Sequence, residues 1–176
     1  VKKPASSTIY YLFTVDGTLA NVGFPNGLCY SEIDMSLQGG LGDINANKNI
    51  AINALTCEKV TGVKHQNNSD FWIIVRIEDS NTYHAYLLSN AGFNIVPVIT
   101  NIGIIHTGYS VGYLKGSSDG NYLAAATGGG SNNGVELFNF DNSTGILSNP
   151  ITLSSDWSYG IEFSPNSKVL YTTRPP

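Results

Sequence analysis

A chain of 176 residues is long enough for one domain with a real core. Its net charge of −4, its 12% charged residues and its nine scattered Lys and Arg argue against nucleic acid as a partner. The longest apolar run, Phe71 to Val75, is five residues, far short of the roughly 20 that span a bilayer. Gly and Asn are abundant turn formers, and Tyr and Phe are plentiful at 10 and 7 against a single Met. Many turn formers with many aromatic and β-branched residues favour an all-β protein.

The start, VKKPASST, has no initiator Met and reads as a processed, engineered or truncated end. Strand patterns then begin with STIYYLFTVD, followed by NGLCYSEIDMSLQGGLGD and the short β-rich KNIAINAL. Next come GVKHQNNSDFWIIV, NTYHAYLLSNAGF and NIVPVITN. The same order returns as YLKGSSDGNYLAAA, NGVELFNFDNSTGIL and SNPITLS. The last stretch, YGIEFSPNSKVLYTT, carries only the opening part of the pattern.

These segments form a repeat. Lys64 falls on Lys115 and Phe71 on Tyr122 at a shift of 51, while Ser117-Ser118-Asp119-Gly120 falls on Ser164-Pro165-Asn166-Ser167 at a shift of 47. A unit of four antiparallel strands in about 50 residues matches a β-propeller blade, and a sandwich would not repeat one four-part order. The units fall at 8–56 (first strand incomplete), 58–101, 110–153 and 159–173 (a half unit). The expectation is a partial propeller in a single segment covering 1–176, about three and a half blades. Its half-built ends would leave unpaired strand edges, so a clean monomer is not expected.

Six segments taken in order, STIYYLFTVD, YSEIDMSLQGGLGDI, EKVTGVKH, VGYLKGSSDGNYLA, VELFNFDNSTGILSNPITL and YGIEFSPNSKVLY, resemble β-propeller modules of secreted and cell-surface proteins of Bacteroidota. Many such proteins carry C-terminal sorting domains for type IX secretion and are described as gliding-associated. The resemblance runs over about residues 4–173 and implies a larger propeller, export to the cell surface, and adhesion or recognition of a glycan or protein ligand. It brings no catalytic residues. The Trp-Asp dipeptide of intracellular signalling propellers is absent from the matching strand ends.

Candidate chemistry is sparse. Gly116 to Gly120 spells G-x-S-x-G around Ser118, but a hydrolase elbow needs a strand-to-helix turn, and here two strands are joined. Gly120 is explained by a turn position with positive φ. Thr127 to Gly134 is glycine-rich without the Gly-Lys-Ser/Thr of a phosphate loop, and reads as a flexible hairpin; Gly39 to Asp43 reads as a tight connection. His65, His84 and His106 hold different repeat positions, so no metal or other cofactor is expected. Cys29 and Cys57 fit no metal spacing; they could pair, stay as partly buried thiols, or pair outside this segment. Asn67-Asn68-Ser69 and Asn142-Ser143-Thr144 match the glycosylation triplet, as Asn-rich turns often do.

The candidate binding residues are His106, Tyr109, Asp156 and Trp157, in the loops Gly103–Ser110 and Ser154–Ser158 between units. Aromatics among polar groups can stack on sugars or anchor a protein; the competing reading is that Tyr109 and Trp157 fill spaces between blades. The expected function is a non-catalytic recognition or scaffold module. The alternative is a lactonase-like propeller hydrolase, which needs a metal or His/Glu cluster at the channel. The inner strands offer Lys64, Lys115 and Glu162 instead.

Overall fold

The computed structural model describes residues 1–17, 26–53 and 55–173; of Tyr109 only the backbone is described. It is all-β, with antiparallel sheets throughout. Among the described residues no helix is long and apolar enough to cross a membrane.

Sheet 1 holds β1 (Ile9–Thr14), β2 (Leu28–Asp34), β3 (Asp43–Ile44) and β4 (Ile50–Asn53), with β3 and β4 both pairing β2. Residues 1–3 lie along the other side of β1. The Tyr11 N–H donates to the Val1 carbonyl at 2.7 Å, and Lys2 bridges Tyr10. They therefore occupy the place of a first strand, which the sequence pattern had left empty.

Sheet 2 holds β5 (Thr56–Lys64), β6 (Phe71–Ile77), β7 (Thr82–Ser89), β8 (Gly92–Phe93) and β9 (Val98–Asn101). Sheet 3 holds β10 (Gly108–Val111), β11 (Leu114–Gly116), β12 (Tyr122–Gly130), β13 (Gly134–Asp141) and β14 (Ile146–Ser154). Sheet 4 is the pair β15 (Ile161–Phe163) and β16 (Leu170–Thr172). In sheets 2 and 3 an early strand, a long central pair and an outer strand follow in chain order; the outer strand is split in sheet 2 (β8 and β9), the early one in sheet 3 (β10 and β11).

One turn recurs at the β5–β6, β11–β12 and β15–β16 connections. Its first N–H donates to the carbonyl five residues on, and the N–H three residues on donates back; the residue pairs are His65–Asp70, Ser117–Tyr122 and Ser164–Val169. Ser117 Oγ donates to Asp119 Oδ1 and Ser164 Oγ to Asn166 Oδ1, at 2.6 and 2.8 Å. The shift of 47 therefore holds in space, with Phe163 opposite Leu170 as Gly116 is opposite Leu123. The shift of 51 is corrected to 52. His65 stands over Ser117, and Lys64 opposite Phe71 stands over Gly116 opposite Leu123. Side chains alternate faces along a strand, so that single residue decides which face each one occupies.

With that register the packing is simple. Leu28, Phe13 and Ile52 of sheet 1 meet Ile73, Val75 and Tyr86 of sheet 2. Trp72, Ile74, Tyr83 and Ala85 on the other face of sheet 2 meet Leu114, Leu123, Phe138, Phe140 and Leu147 of sheet 3. Ala124, Ala126 and Val135 on the far face of sheet 3 meet Ile161 and Phe163 of sheet 4. Each sheet is thus buried on one or both faces by its neighbours in sequence, and the cores lie in the seams. Each fully buried large side chain contributes roughly 1.5–3 kcal/mol by leaving water.

Thr127 to Gly130 belongs to β12, so the glycine-rich stretch is mostly strand, with a short turn before Gly134. Cys29 and Cys57 are buried free thiols. Ser118 is exposed in the β11–β12 turn, where Gly120 takes φ +74 as its turn position requires.

Candidate functional site

Two polar clusters are built by the seams, one buried and one open. The buried one lies between sheets 2 and 3. Arg76 of β6, fully buried, donates from Nη2 to the carbonyls of Ser80 and Ile104 at 2.8 and 2.7 Å. Its Nη1 faces Thr127 Oγ1 at 3.4 Å and Glu136 Oε2 at 4.0 Å, and its guanidinium lies 5.4 Å over the Tyr83 ring. Glu136 of β13 accepts the Ile104 N–H on Oε1 at 2.9 Å and faces His106 Nε2 with Oε2 at 3.3 Å. The other nitrogen of His106 faces the Ser131 carbonyl at 3.4 Å. Burial pushes the Tyr83 phenol well up. This network clamps the 102–107 connection against both sheets. With every charge removed from solvent, its role is positional.

Lys59 of β5 extends the cluster. Its Nζ donates to the carbonyls of Ala126 at 2.8 Å and Val111 at 3.3 Å. Desolvation brings its pKa down from 10.5 to about 8. The sign follows directly. Between pH 8 and 10.5 the unfolded chain holds a proton that the folded chain has lost, so stability rises with pH across that window. The total is about 3 kcal/mol, and the whole penalty is present below pH 8. Burial raises the neighbouring Cys57 thiol, which gives the opposite slope as pH climbs past 9.0. The difference in urea-unfolding free energy between the native chain and Lys59→Met isolates the lysine: it is expected to close as pH rises from 8 to 10.5. A pH-independent difference would refute the assignment.

The open cluster gathers where the early strands of sheets 2, 3 and 4 run side by side. Tyr113, between β10 and β11, is 49% exposed, and its ring lies 5.7 Å from Tyr159, itself 41% exposed. Trp157 continues the row at 6.4 Å from Tyr159. Lys115 of β11 sits 5.5 Å over the Tyr113 ring and pairs with Glu162 of β15 at 2.8 Å. The Glu58 carboxylate, followed by desolvation, pushes the Tyr159 phenol up. Hollows of about 340 and 210 Å³ flank Tyr113, the first walled by Glu58, Lys59 and Lys115, the second by Glu162, Tyr171 and Thr173.

Backbone chemistry sets this row. The Tyr113 N–H donates to the Tyr159 carbonyl at 2.8 Å, which ties sheet 3 to sheet 4 beside the aromatics. Gly112 makes the approach feasible. At φ +110, a Cβ there would stand 2.9 Å from the Ala126 carbonyl and 3.2 Å from that of Tyr159.

The four candidate residues from the sequence do not form one site. His106 is 2% exposed inside the buried network, so the reading of it as a surface aromatic is corrected. The loop around it is polar because it wraps a buried carboxylate. Tyr109 lies in β10. Asp156 sits in a turn capped by Ser154, whose Oγ accepts the Asp156 N–H at 3.1 Å and donates to Asp156 Oδ2 at 3.3 Å. Trp157 lies tilted beside Tyr159 and presses its indole on Gly128, where no side chain would fit. Of the three histidines, His65 stacks on Trp72, His84 meets Asn53 and Tyr86, and His106 meets Glu136. Among the described residues no group of three or more His, Cys, Asp or Glu could hold a metal.

Tyr113, Tyr159 and Glu58 escaped the sequence reading. The two tyrosines left a signal, a tyrosine two or three residues before a charge in the early strands of sheets 3 and 4, as in Tyr113-Leu114-Lys115 and Tyr159-Gly160-Ile161-Glu162; Glu58 left none.

No family model matches the chain, and no curated protein matches it. A solved structure with a similar fold is a protein from Bacteroides uniformis, described as a candidate 6-phosphogluconolactonase. The TM-score is 0.53 at 15% identity, over 90% of this chain and 50% of that one. The chain thus spans about half the length of the protein it matches.

Proposed function

We propose that this chain is a run of consecutive blades of a larger β-propeller, and that it serves as a non-catalytic recognition module of an exported bacterial surface protein. The blade reading is supported by the repeated four-part order, by seams that join each sheet to the next in sequence, and by a structural likeness that covers half of a longer chain. Export and surface location rest on the sequence resemblance alone. Recognition rests on one observation: the row Trp157–Tyr159–Tyr113, flanked by Glu58, Lys115 and Glu162 on an open edge.

That row has the chemistry of a carbohydrate platform. Tyrosine rings offer flat apolar faces to the C–H side of a pyranose, and carboxylates and an ammonium accept or donate to its hydroxyls. Glycan-array screening followed by calorimetry is expected to find a sugar that binds the native chain, with Tyr113→Ala weakening it about tenfold and Ser118→Ala leaving it unchanged. Binding that survives Tyr113→Ala and Tyr159→Ala together would refute the platform.

The likeness to a candidate lactonase favours a second reading, a sugar-lactone hydrolase using Glu58 or Glu162 at the same edge. Turnover of a phosphosugar lactone by the chain, lost in Glu162→Gln, would select it over recognition.

A further inference from the structure

The early strand of sheet 3 is broken where that of sheet 2 is whole. β5 runs through Thr61, opposite Ile74, whereas β10 and β11 part at Gly112 and Tyr113, the matching place in sheet 3. Hydrogen-bonded pairs alternate along an antiparallel ladder. The Ser117 N–H bonded to Tyr122 fixes the phase, so Tyr113 and Ala126 form such a pair. A pair of this kind exchanges two bonds. One is made here, from the Ala126 N–H to the Tyr113 carbonyl at 2.9 Å. The other is not. The Tyr113 N–H leaves the ladder and donates to the Tyr159 carbonyl, at the entry to sheet 4, at 2.8 Å.

The carbonyl so deserted belongs to Ala126, which is fully buried. A buried backbone carbonyl seldom goes without a donor. Lys59 supplies one from the neighbouring sheet: its Nζ reaches the Ala126 carbonyl at 2.8 Å, and at 3.3 Å that of Val111, just before the break. An ammonium of sheet 2 thus stands in for a backbone N–H of sheet 3. Gly112 is the hinge, because a Cβ there would crowd the carbonyls of both Ala126 and Tyr159. Glu58, next to Lys59 in β5, acts on the Tyr159 phenol. Two adjacent residues of sheet 2 therefore bear on both partners of the Tyr113–Tyr159 bridge.

We propose that Lys59 is the positioning residue of the aromatic row, and that it acts by a hydrogen-bond exchange. Its ammonium occupies the Ala126 carbonyl, and this releases the Tyr113 amide to bridge sheets 3 and 4. Without the ammonium, the Tyr113 N–H returns to Ala126, the rung closes, and the bridge to Tyr159 opens. The Tyr113 amide is bonded in either arrangement; only its acceptor changes. The bridge holds the two tyrosine rings at their 5.7 Å spacing. Sheet 2 thereby sets the geometry of a surface carried by sheets 3 and 4, whatever that surface binds.

Scalar couplings across hydrogen bonds, measured by NMR on the isotope-labelled chain, identify the acceptor of each amide. In the native chain a coupling is expected from the Tyr113 nitrogen to the Tyr159 carbonyl carbon, and none to that of Ala126. In Lys59→Met the coupling is expected to move to Ala126, with loss of the nuclear Overhauser contact between the Tyr113 and Tyr159 rings. Lys59→Arg keeps a cationic donor on a long stem and is expected to retain the native pattern. The Lys115–Ala124 rung is the internal control, and its coupling is expected in all three chains. Loss of that rung together with the bridge would assign Lys59 a merely structural role and overturn the proposal. A Lys59→Met chain that keeps the Tyr159 coupling overturns it, because Ala126 then needs no substitute donor. So does a Lys59→Met chain that fails to fold, because the Tyr113 amide would then not be a donor held in reserve. A native coupling to Ala126, or a Lys59→Arg chain that behaves as Lys59→Met does, overturns it as well.

Discussion

Glu136→Ala is expected to cost about 3–5 kcal/mol of unfolding free energy, among the largest single effects in the molecule. The carboxylate is 3% exposed and faces Arg76, which is fully buried. Removing it leaves a guanidinium in an apolar seam with only neutral acceptors, the carbonyls of Ser80 and Ile104 and the hydroxyl of Thr127. It also strips the Ile104 N–H of its acceptor. In a domain of this size, that cost lowers Tm by about 10 °C. Glu136→Gln keeps the shape and an acceptor for Ile104 but removes the charge, and is expected to recover part of the loss. The double variant Arg76→Met, Glu136→Leu is expected to recover most of it, because a packed apolar pair carries no desolvation penalty. Urea unfolding of the four proteins separates the cases. A Glu136→Ala chain as stable as the native one would mean that the neutral acceptors around Arg76 suffice without the carboxylate.

Trp72→Ala is expected to cost about 3–5 kcal/mol by a different route, the loss of a large buried ring from the same seam. Trp72 is 5% exposed on β6, and its ring lies on Gly145 of the β13–β14 turn. A Cβ at Gly145 would stand 2.9 Å from the ring, so glycine is what lets the turn close over it. The indole N–H donates to the Asn142 carbonyl at 2.9 Å, and the Gln66 N–H shares that acceptor at 3.2 Å. Trp72→Phe keeps an aromatic ring in the seam but loses the indole hydrogen bond, about 1 kcal/mol, and part of the contact with Gly145. Equal losses in Trp72→Phe and Trp72→Ala would assign the stabilisation to the hydrogen bond rather than to the buried surface.

What the sequence disclosed, and what it withheld, follows from the range of the interactions. The turn at Ser117 and its copy at Ser164 were legible because a serine hydroxyl and an Asp or Asn two residues on write that turn locally. Matching Lys64 to Lys115 misled, because the ladder places Lys64 with Gly116, and letters alone do not fix a register of period two. His106 looked like a surface aromatic because its partner, Glu136, is thirty residues away in the next sheet. The aromatic row was hidden for the same reason. Glu58, Tyr113 and Tyr159 come from three sheets, and only the seams bring them together.

Where sheet 2 turns Trp72 and Ile74 toward its follower, sheet 3 turns Ala124 and Ala126; where sheet 3 offers Gly116 to its predecessor, sheet 4 offers Phe163. The seam between sheets 2 and 3 therefore sets large against large, Trp72 and Ile74 with Leu114 and Phe138, while the seam between sheets 3 and 4 sets the small Ala124 and Ala126 against Ile161 and Phe163. Repeated units usually risk docking out of order as they fold, since any copy can stand in for any other. Here the two seams differ in the side-chain volume they hold, so a unit docked on the wrong neighbour would overfill its seam or leave a void, at a cost of roughly a kcal/mol or more. Units alike in backbone are thus unequal in the volume they present, which favours assembly in chain order.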